Sequence, residues 1–132
     1  MSMRRRVSSG GPWEDRAGYS RAIAVVNDCY VSGTTDAGPD GRSLHPGDIA
    51  AQADAALQVI AAALDDAGFA IADVVRTRMF VTDIGRSSEV LAVQRRWFDA
   101  VRPASTLVQV AALIDPSLLV EIEVDAQRGD RR

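Results

Sequence analysis

Two segments near the C-terminus alternate between two kinds of side chain. The first, residues 119–126, places its acids at every second position: Glu121, Glu123 and Asp125. The second, residues 104–110, has an alternating set of its own: Ser105, Leu107 and Gln109. Because successive side chains on a β-strand point to opposite faces, each segment predicts a strand with two unlike faces. A carboxylate on such a face can orient a water molecule for hydrolysis if it lies in a cleft that limits solvent.

The tripeptide Asp115-Pro116-Ser117 separates the two strands, and proline is favoured at the second position of a turn. The prediction is a C-terminal hairpin in which the acids of residues 119–126 share a face with the serine, leucine and glutamine of residues 104–110. Pro103 marks its beginning, because a proline disfavours helical geometry in the residue before it. We take the shared face as the candidate functional site.

The composition excludes several classes of chemistry. All fifteen basic residues are arginine, so neither a Schiff-base lysine nor a P-loop lysine is available. One histidine, His45, and one cysteine, Cys29, leave most metal sites and the Ser–His and Cys–His mechanisms without their residues. His45 lies in a loop and is expected to be exposed, whereas Cys29 is expected to be a buried small apolar residue. No metal and no cofactor are predicted.

A length of 132 residues fits one domain, and a net charge of -3 argues against nucleic acid as the main partner. No segment resembles a signal peptide or an apolar membrane span of about 20 residues. We therefore expect a cytoplasmic location and no membrane partner.

The apolar pattern predicts an α+β fold with the order β-β-α-β-α-β-β and two helices on one face of a mixed sheet. Its elements are strands at 22–26 and 29–34, a helix from Asp48 to a stop at Gly68, a strand at 73–83, a helix beginning at Ser87 or Ser88, and the two C-terminal strands. Gly33 marks either a bulge or close approach of a ligand, or is simply a glycine at a strand end. Residues 17–127 form the domain; residues 1–16 are predicted to be flexible, and residues 128–132 form a tail.

Two amphipathic helices can cover only one face of this sheet. The other face carries both charge signs together with apolar residues, so it is either solvated or an interface between subunits. We favour the interface, in which the charges pair between strands or between subunits.

Five motifs occur in a fixed order: Gly18-Tyr19-Ser20-Arg21, Val31-Ser32-Gly33-Thr34, the run 73–83, Arg102-Pro103-Ala104 and Val120-Glu121-Ile122-Glu123. Together they resemble the Rid family, also called the YjgF or reactive-intermediate deaminase family and in places named endoribonuclease L-PSP. The resemblance covers about residues 17–127. It implies a chorismate-mutase-like fold and a homotrimer whose sheets face inward, with small-molecule clefts at the three subunit boundaries.

The resemblance also implies a chemistry. Members with demonstrated activity hydrolyse imines that arise from enamines such as 2-aminoacrylate, and they release a 2-keto acid and ammonia without a metal or an organic cofactor. It places Tyr19 near the cleft and gives Ser32 and Gly33 a backbone contact there. Glu121 corresponds to the residue that holds the attacking water.

The chain departs from the family pattern at two positions. The arginine that usually follows Pro-Ala and forks onto a substrate carboxylate is Ser105 here, and the common cysteine two residues further on is Leu107. A non-standard substrate range is therefore expected. Either Arg102, Arg21 or Arg78 supplies the missing cation, or the ligand carries no carboxylate and a more neutral pocket receives it.

Other interpretations remain open. Glu121 could pair with Arg76 or Arg78 across strands, and Ser105 could be only a small residue at an interface. The sequence therefore supports an imine or enamine hydrolase, or a non-catalytic trimer that binds a metabolite in the same cleft. Ribonuclease activity ranks last, because an acidic chain with its only histidine in a loop is poorly equipped to cleave RNA.

Overall fold

The computed structural model describes residues 3–129, which form a six-stranded mixed sheet with helices on one face. The strands are β1 Arg4–Val7, β2 Ala22–Val25, β3 Asp28–Thr34, β4 Val74–Val81, β5 Ala104–Gln109 and β6 Val120–Gln127. Their order across the sheet is β1-β2-β3-β6-β4-β5. Every neighbouring pair is antiparallel except β4 and β5, which are parallel. The predicted α+β class is confirmed.

Two long helices cover one face of the sheet: α2 Ile49–Asp66 and α3 Ser87–Phe98. Asp48 caps α2 by accepting a hydrogen bond from the Ala51 amide at 3.0 Å, and Gly68 follows its end in the left-handed conformation. The apolar stripe of α2 lies against β3 and β6, and α2 also packs beside α3. This packing forms the core and leaves the other face of the sheet open. None of the helices described is long and apolar enough to cross a membrane.

The N-terminal region differs from the prediction of a flexible segment at 1–16. Residues Arg4–Val7 form β1, which pairs with β2 at one edge of the sheet, and Glu14–Ala17 form the short helix α1. The strand escaped prediction because three arginines make up most of it, and they lie exposed on an edge where charge is tolerated. Residues 1, 2 and 130–132 of the predicted terminal segments lie outside the described residues.

The predicted hairpin near residue 27 is confirmed as β2 and β3, with its turn one residue earlier than expected. Val26 adopts a positive φ of 57° there. The register between β3 and β6 shifts between Val31 and Thr34, so a bulge surrounds Gly33. This outcome confirms the first of the three interpretations of Gly33.

The predicted C-terminal hairpin is wrong, because β4 lies between β5 and β6. The chain passes from β4 through α3 and returns as the parallel strand β5, and such a crossover needs an intervening helix. The predicted shared face is wrong as well. Thr77 on β4 is aligned with Ser105 on one side and with Val124 on the other, so Ser105 shares the helix-covered face with the apolar residues of β6. The acids of β6 lie on the opposite, open face.

Candidate functional site

Two of the three acids of β6 are paired on the open face. The Arg78 guanidinium lies 3.3 Å from a carboxylate oxygen of Glu123 and 3.3 Å from one of Asp125. This arrangement agrees with the expectation that charges on this face pair between strands. It also leaves Glu121 outside the ion pairs of the described residues.

Glu121 is a partly buried carboxyl group whose pKa is shifted by its surroundings. Within residues 3–129 its carboxylate receives no hydrogen bond, and the residue is only partly exposed. Burial raises the pKa of the Glu121 carboxyl above its usual value, the Glu123 carboxylate raises it further, and Arg21 opposes both effects. A carboxyl group whose pKa is raised accepts a proton more readily than an ordinary glutamate does.

Gly33 allows the Glu121 carboxylate to occupy its position. A Cβ built on Gly33 would lie only 2.8 Å from the Glu121 carboxyl carbon and would overlap one of its oxygens. The bulge in β3 therefore provides the space into which the carboxylate fits. The Gly33 carbonyl oxygen is held in turn by Arg21, whose Nη1 donates to it at 2.6 Å.

Arg21 is buried beside Glu121, with 7% of its surface exposed. Its Nη1 also donates to the Thr34 hydroxyl at 2.9 Å, and its Nη2 lies 3.4 Å from the Tyr19 hydroxyl. The guanidinium carbon lies 5.6 Å from the centre of the Tyr19 ring. The Arg21 side chain therefore links the bulge at Gly33 with Tyr19 and lies close to the Glu121 carboxylate.

The charge of Arg21 is balanced by Glu14 at the start of α1. The Arg21 Nε lies 3.4 Å from Glu14 Oε2, and Glu14 is 3% exposed. Burial alone would raise the pKa of Glu14, but hydrogen bonds from the Ser9 hydroxyl, the Ser8 hydroxyl and the Ser9 amide, together with Arg21, lower it below its usual value. Glu14 is therefore a carboxylate that stays ionised.

Arg21, Gly33 and Glu121 help to line a cleft of about 400 Å³. Tyr19, Arg21, Gly33 and Glu121, four of the predicted site residues, all line it. Much of the remaining wall is apolar and comes from four places in the chain: Pro12 and Trp13, Ala37 to Pro39, Leu44, and Ile114. Sequence reasoning missed this wall and Glu14, and the only signal for them was the acidic and aromatic pair Trp13-Glu14 within a segment taken as flexible.

Within a single chain, the other four predicted site residues lie outside this cleft: Ser32, Arg102, Ser105 and Leu107. Ser32 donates to the Ser20 carbonyl oxygen at 2.7 Å and lines a neighbouring groove. Arg102, with a positive φ of 57°, donates to the carbonyl oxygen and carboxylate of Asp99, each at 2.8 Å. Ser105 and Leu107 face the helices.

Their contacts on that side are specific. The Ser105 hydroxyl accepts a hydrogen bond from Thr77 Oγ1 at 2.9 Å and one from Gln94 Nε2 at 3.0 Å. Leu107 packs against the core. Roles for these residues in a binding site stay a prediction that requires a second copy of the chain.

The single histidine and the single cysteine have defined surroundings. The His45 ring is 44% exposed, but its Nδ1 lies 2.9 Å from the buried carboxylate of Asp36, a partner that the sequence did not reveal. Cys29 is buried as expected, and burial raises the pKa of its thiol to about 11, although Arg128 opposes the effect. Such a thiol is not a nucleophile near neutral pH. No group of three or more potential metal ligands occurs among residues 3–129.

Comparison with known proteins places this geometry in a family. The model of the family Endoribonuclease L-PSP matches residues 13–128. An uncharacterised protein of Streptomyces coelicolor is 37% identical over 95% of this chain and 92% of its own length. The 2-iminobutanoate/2-iminopropanoate deaminase of Rattus norvegicus is 35% identical over 84% of this chain and 80% of its own length.

A solved structure agrees with these relatives. The crystal structure of a member of the YjgF/YER057c/UK114 family from Mycobacterium tuberculosis superposes with a TM-score of 0.86. It is 48% identical in sequence and covers 95% of this chain and 99% of that chain. The chain therefore belongs to the Endoribonuclease L-PSP family, the family that is also called YjgF or Rid.

Proposed function

We propose that this protein is an imine hydrolase in which Glu121 accepts and donates the protons that are transferred. The observation that carries the proposal is the Glu121 carboxylate, partly buried and without a hydrogen bond from the described residues, beside Gly33 in a cleft of about 400 Å³. The raised pKa of Glu121 supports the same role. The deaminase relative from Rattus norvegicus lends further support, because imines are the compounds for which that enzyme is named.

The reaction proceeds by addition of water followed by loss of ammonia. The Glu121 carboxylate accepts a proton from water as the water oxygen bonds to the carbon of a protonated imine, and the electrons of the C=N double bond move to nitrogen. Glu121 then returns this proton to the nitrogen. The C–N bond breaks and its electrons leave with ammonia, while the hydroxyl oxygen forms the new carbonyl as its proton passes through the Glu121 carboxylate to the departing ammonia. The products are a carbonyl compound and an ammonium ion, so atoms and charge balance.

We also propose that the working unit is a homotrimer, in which the open faces of the sheets meet. Tyr30 and Val108, two large side chains on the open face, are exposed in the single chain at 49% and 41%. The edge strand β5 has no neighbour on its outer side within the sheet of the described residues. Ser105 and Leu107 lie on the helix-covered face, so a second copy would bring them, together with Arg102, toward the cleft only along the edge of β5. Sedimentation velocity measures the stoichiometry, and a monomer at micromolar concentration would contradict this proposal.

The activity is tested by ammonia release from imines generated in the reaction mixture. An amino-acid oxidase supplies imines that carry a carboxylate, and a flavin-dependent amine oxidase supplies imines without one. The protein should accelerate release, and Glu121→Gln should reduce the acceleration by about a hundredfold or more, the lower end of the usual contribution of acid–base catalysis.

Glu89→Gln is the matched control, because Glu89 is a surface residue paired with Arg86 at 3.0 Å and should not affect the rate. Failure to accelerate release across both classes of imine would contradict the proposal. Saturable binding of a small molecule that is recovered unchanged would favour the non-catalytic trimer instead.

A further inference from the structure

We propose that Glu14 determines the substrate class of the cleft: by pairing with Arg21 it leaves the cleft selective for imines that carry no carboxylate. The inference rests on the proposed function, since it names the substrates of the same site. Glu14 acts through Arg21 and is therefore a positioning residue. It lies in the N-terminal segment that also forms part of the wall of the cleft.

The first argument is the set of hydrogen bonds made by Arg21. A guanidinium has five N–H groups, and it grips a carboxylate best through two neighbouring ones. In this structure Nε faces Glu14, both N–H groups of Nη1 have acceptors in Gly33 and Thr34, and Nη2 has the Tyr19 hydroxyl near it. Only one N–H group remains, so Arg21 cannot fork onto a substrate carboxylate without breaking an existing contact.

The second argument is the charge of the cleft. Arg21 and Glu121 are the charged residues among the described side chains that line it, and the buried Glu14 carboxylate lies directly behind Arg21. Together these three groups carry a negative charge whenever Glu121 is ionised. Glu121 would repel a carboxylate held nearby and attract a protonated imine. Arg16, whose guanidinium carbon lies 5.3 Å from the centre of the Trp13 ring, is not among the lining residues.

The third argument concerns a second copy of the chain. Every residue of the edge strand β5 is neutral, so whichever part of it approaches a cleft in the proposed trimer brings no charge. Arg102 already has Asp99 as a partner, with its Nη2 at 2.8 Å from the carboxylate. Neither β5 nor Arg102 of the neighbouring subunit therefore offers a cation that is free to bind a substrate carboxylate. The rat relative is named for imines that carry a carboxylate, and we infer that this chain differs from it in substrate.

Ligand binding tests the inference without requiring turnover. Two stable probes share one branched alkyl chain: 3-methylbutylammonium, a cation, and 3-methylbutanoate, a carboxylate. Isothermal titration of the wild-type protein should give at least about tenfold tighter binding of the ammonium probe. Equal binding of the two probes, or tighter binding of the carboxylate, would overturn the inference and would indicate a cation contributed by another subunit.

The variant Glu14→Gln removes the charge that balances Arg21 and keeps the size of the side chain. It should shift the ratio of the two affinities toward the carboxylate by about tenfold or more. The control Glu89→Gln makes the same change of charge on the surface and should leave the ratio unchanged. A merely structural role for Glu14 would weaken both probes alike, and an unchanged ratio in folded Glu14→Gln protein would contradict the proposal. If this variant fails to fold, the wild-type ratio still tests the selectivity of the cleft, since equal binding of the two probes overturns it.

Kinetics separate this inference from the proposed function. Leucine with an amino-acid oxidase and 3-methylbutylamine with a flavin-dependent amine oxidase yield imines that differ only in the carboxylate. Faster hydrolysis of the imine without a carboxylate supports both proposals. Faster hydrolysis of the leucine-derived imine overturns the substrate class and leaves the hydrolase standing. Selective binding of the ammonium probe without hydrolysis of either imine upholds the selectivity and removes the hydrolase.

Discussion

Replacing Gly33 with alanine should disable the site while preserving the fold. The new Cβ would lie 2.8 Å from the Glu121 carboxyl carbon, whereas ordinary contacts of a Cβ begin near 3.4 Å. The carboxyl carbon must therefore move by about 0.6 Å, and the nearer carboxylate oxygen must move further. A misplacement of about 1 Å in a catalytic group can reduce the rate by roughly a hundredfold. We expect ammonia release by Gly33→Ala to fall by about that factor.

The effect on stability should be small, and this separates the prediction from simple unfolding. The atoms that must move belong to the end of a flexible side chain, and Gly33 is not among the glycines with positive φ. An alanine at such a position restricts the unfolded chain and stabilises by about 0.4–1 kcal/mol, which partly offsets the displacement of Glu121. The free energy of unfolding, measured with urea, should change by less than about 1 kcal/mol.

The matched control is Gly129→Ala, since a Cβ at Gly129 would meet no atom within 4 Å. It should leave both the rate of ammonia release and the stability unchanged. Full activity in Gly33→Ala would show that the position of the Glu121 carboxylate does not matter. Loss of the fold would show that the bulge tolerates no side chain, and either result would refute the reasoning.

Three further predictions concern pH and reactivity. The raised pKa of Glu121 means that the folded protein holds the proton of the Glu121 carboxyl group more tightly than the unfolded chain does. The contribution of Glu121 to stability therefore declines as the pH rises above about 4.5. Glu121→Gln should have a higher melting temperature than wild type at pH 7, and this difference should vanish in acid. The lowered pKa of Glu14 has the opposite sign, so its contribution is present above about pH 4.5 and lost as the pH falls further. Glu14→Gln should lose up to about 3–5 kcal/mol at pH 7, the typical result of breaking a buried ion pair, and urea unfolding curves at pH 7 and pH 3 should show the deficit shrinking. Cys29 should not react with a thiol reagent at pH 8 in the native protein, because its pKa is about 11, but it should react in urea.

The sequence predicted the elements whose pattern is local. The apolar stripe and caps of α2 and the alternation within β4 and β6 follow from periods and residue types that neighbours along the chain provide, whereas the bulge was only one of three interpretations of Gly33. The resemblance placed Tyr19, Gly33 and Glu121 in one site and left Arg21 as a candidate for the missing cation, and the structure brings those four residues to a single cleft.

The parts that failed depend on contacts between distant segments. Alternation in β5 and β6 indicates two strands, but it does not say which strand lies between them, and the insertion of β4 reverses the face assigned to Ser105. The strand β1 carries arginines that resemble a disordered terminus, and only pairing with β2 gives it structure. The role of Glu14 depends on its contact with Arg21, seven residues later in the chain. No local sequence pattern revealed the turn that brings the two residues together.

The most direct test of Glu121 as the proton-transfer group is the pH dependence of kcat/KM for ammonia release. Because water must lose a proton to an ionised carboxylate, kcat/KM should rise with pH through an acidic limb whose pKa lies above 4.5, the usual value for glutamate. Glu121→Gln should remove both the limb and most of the rate. A flat profile in the wild type, or an acidic limb that persists in Glu121→Gln, would contradict the account.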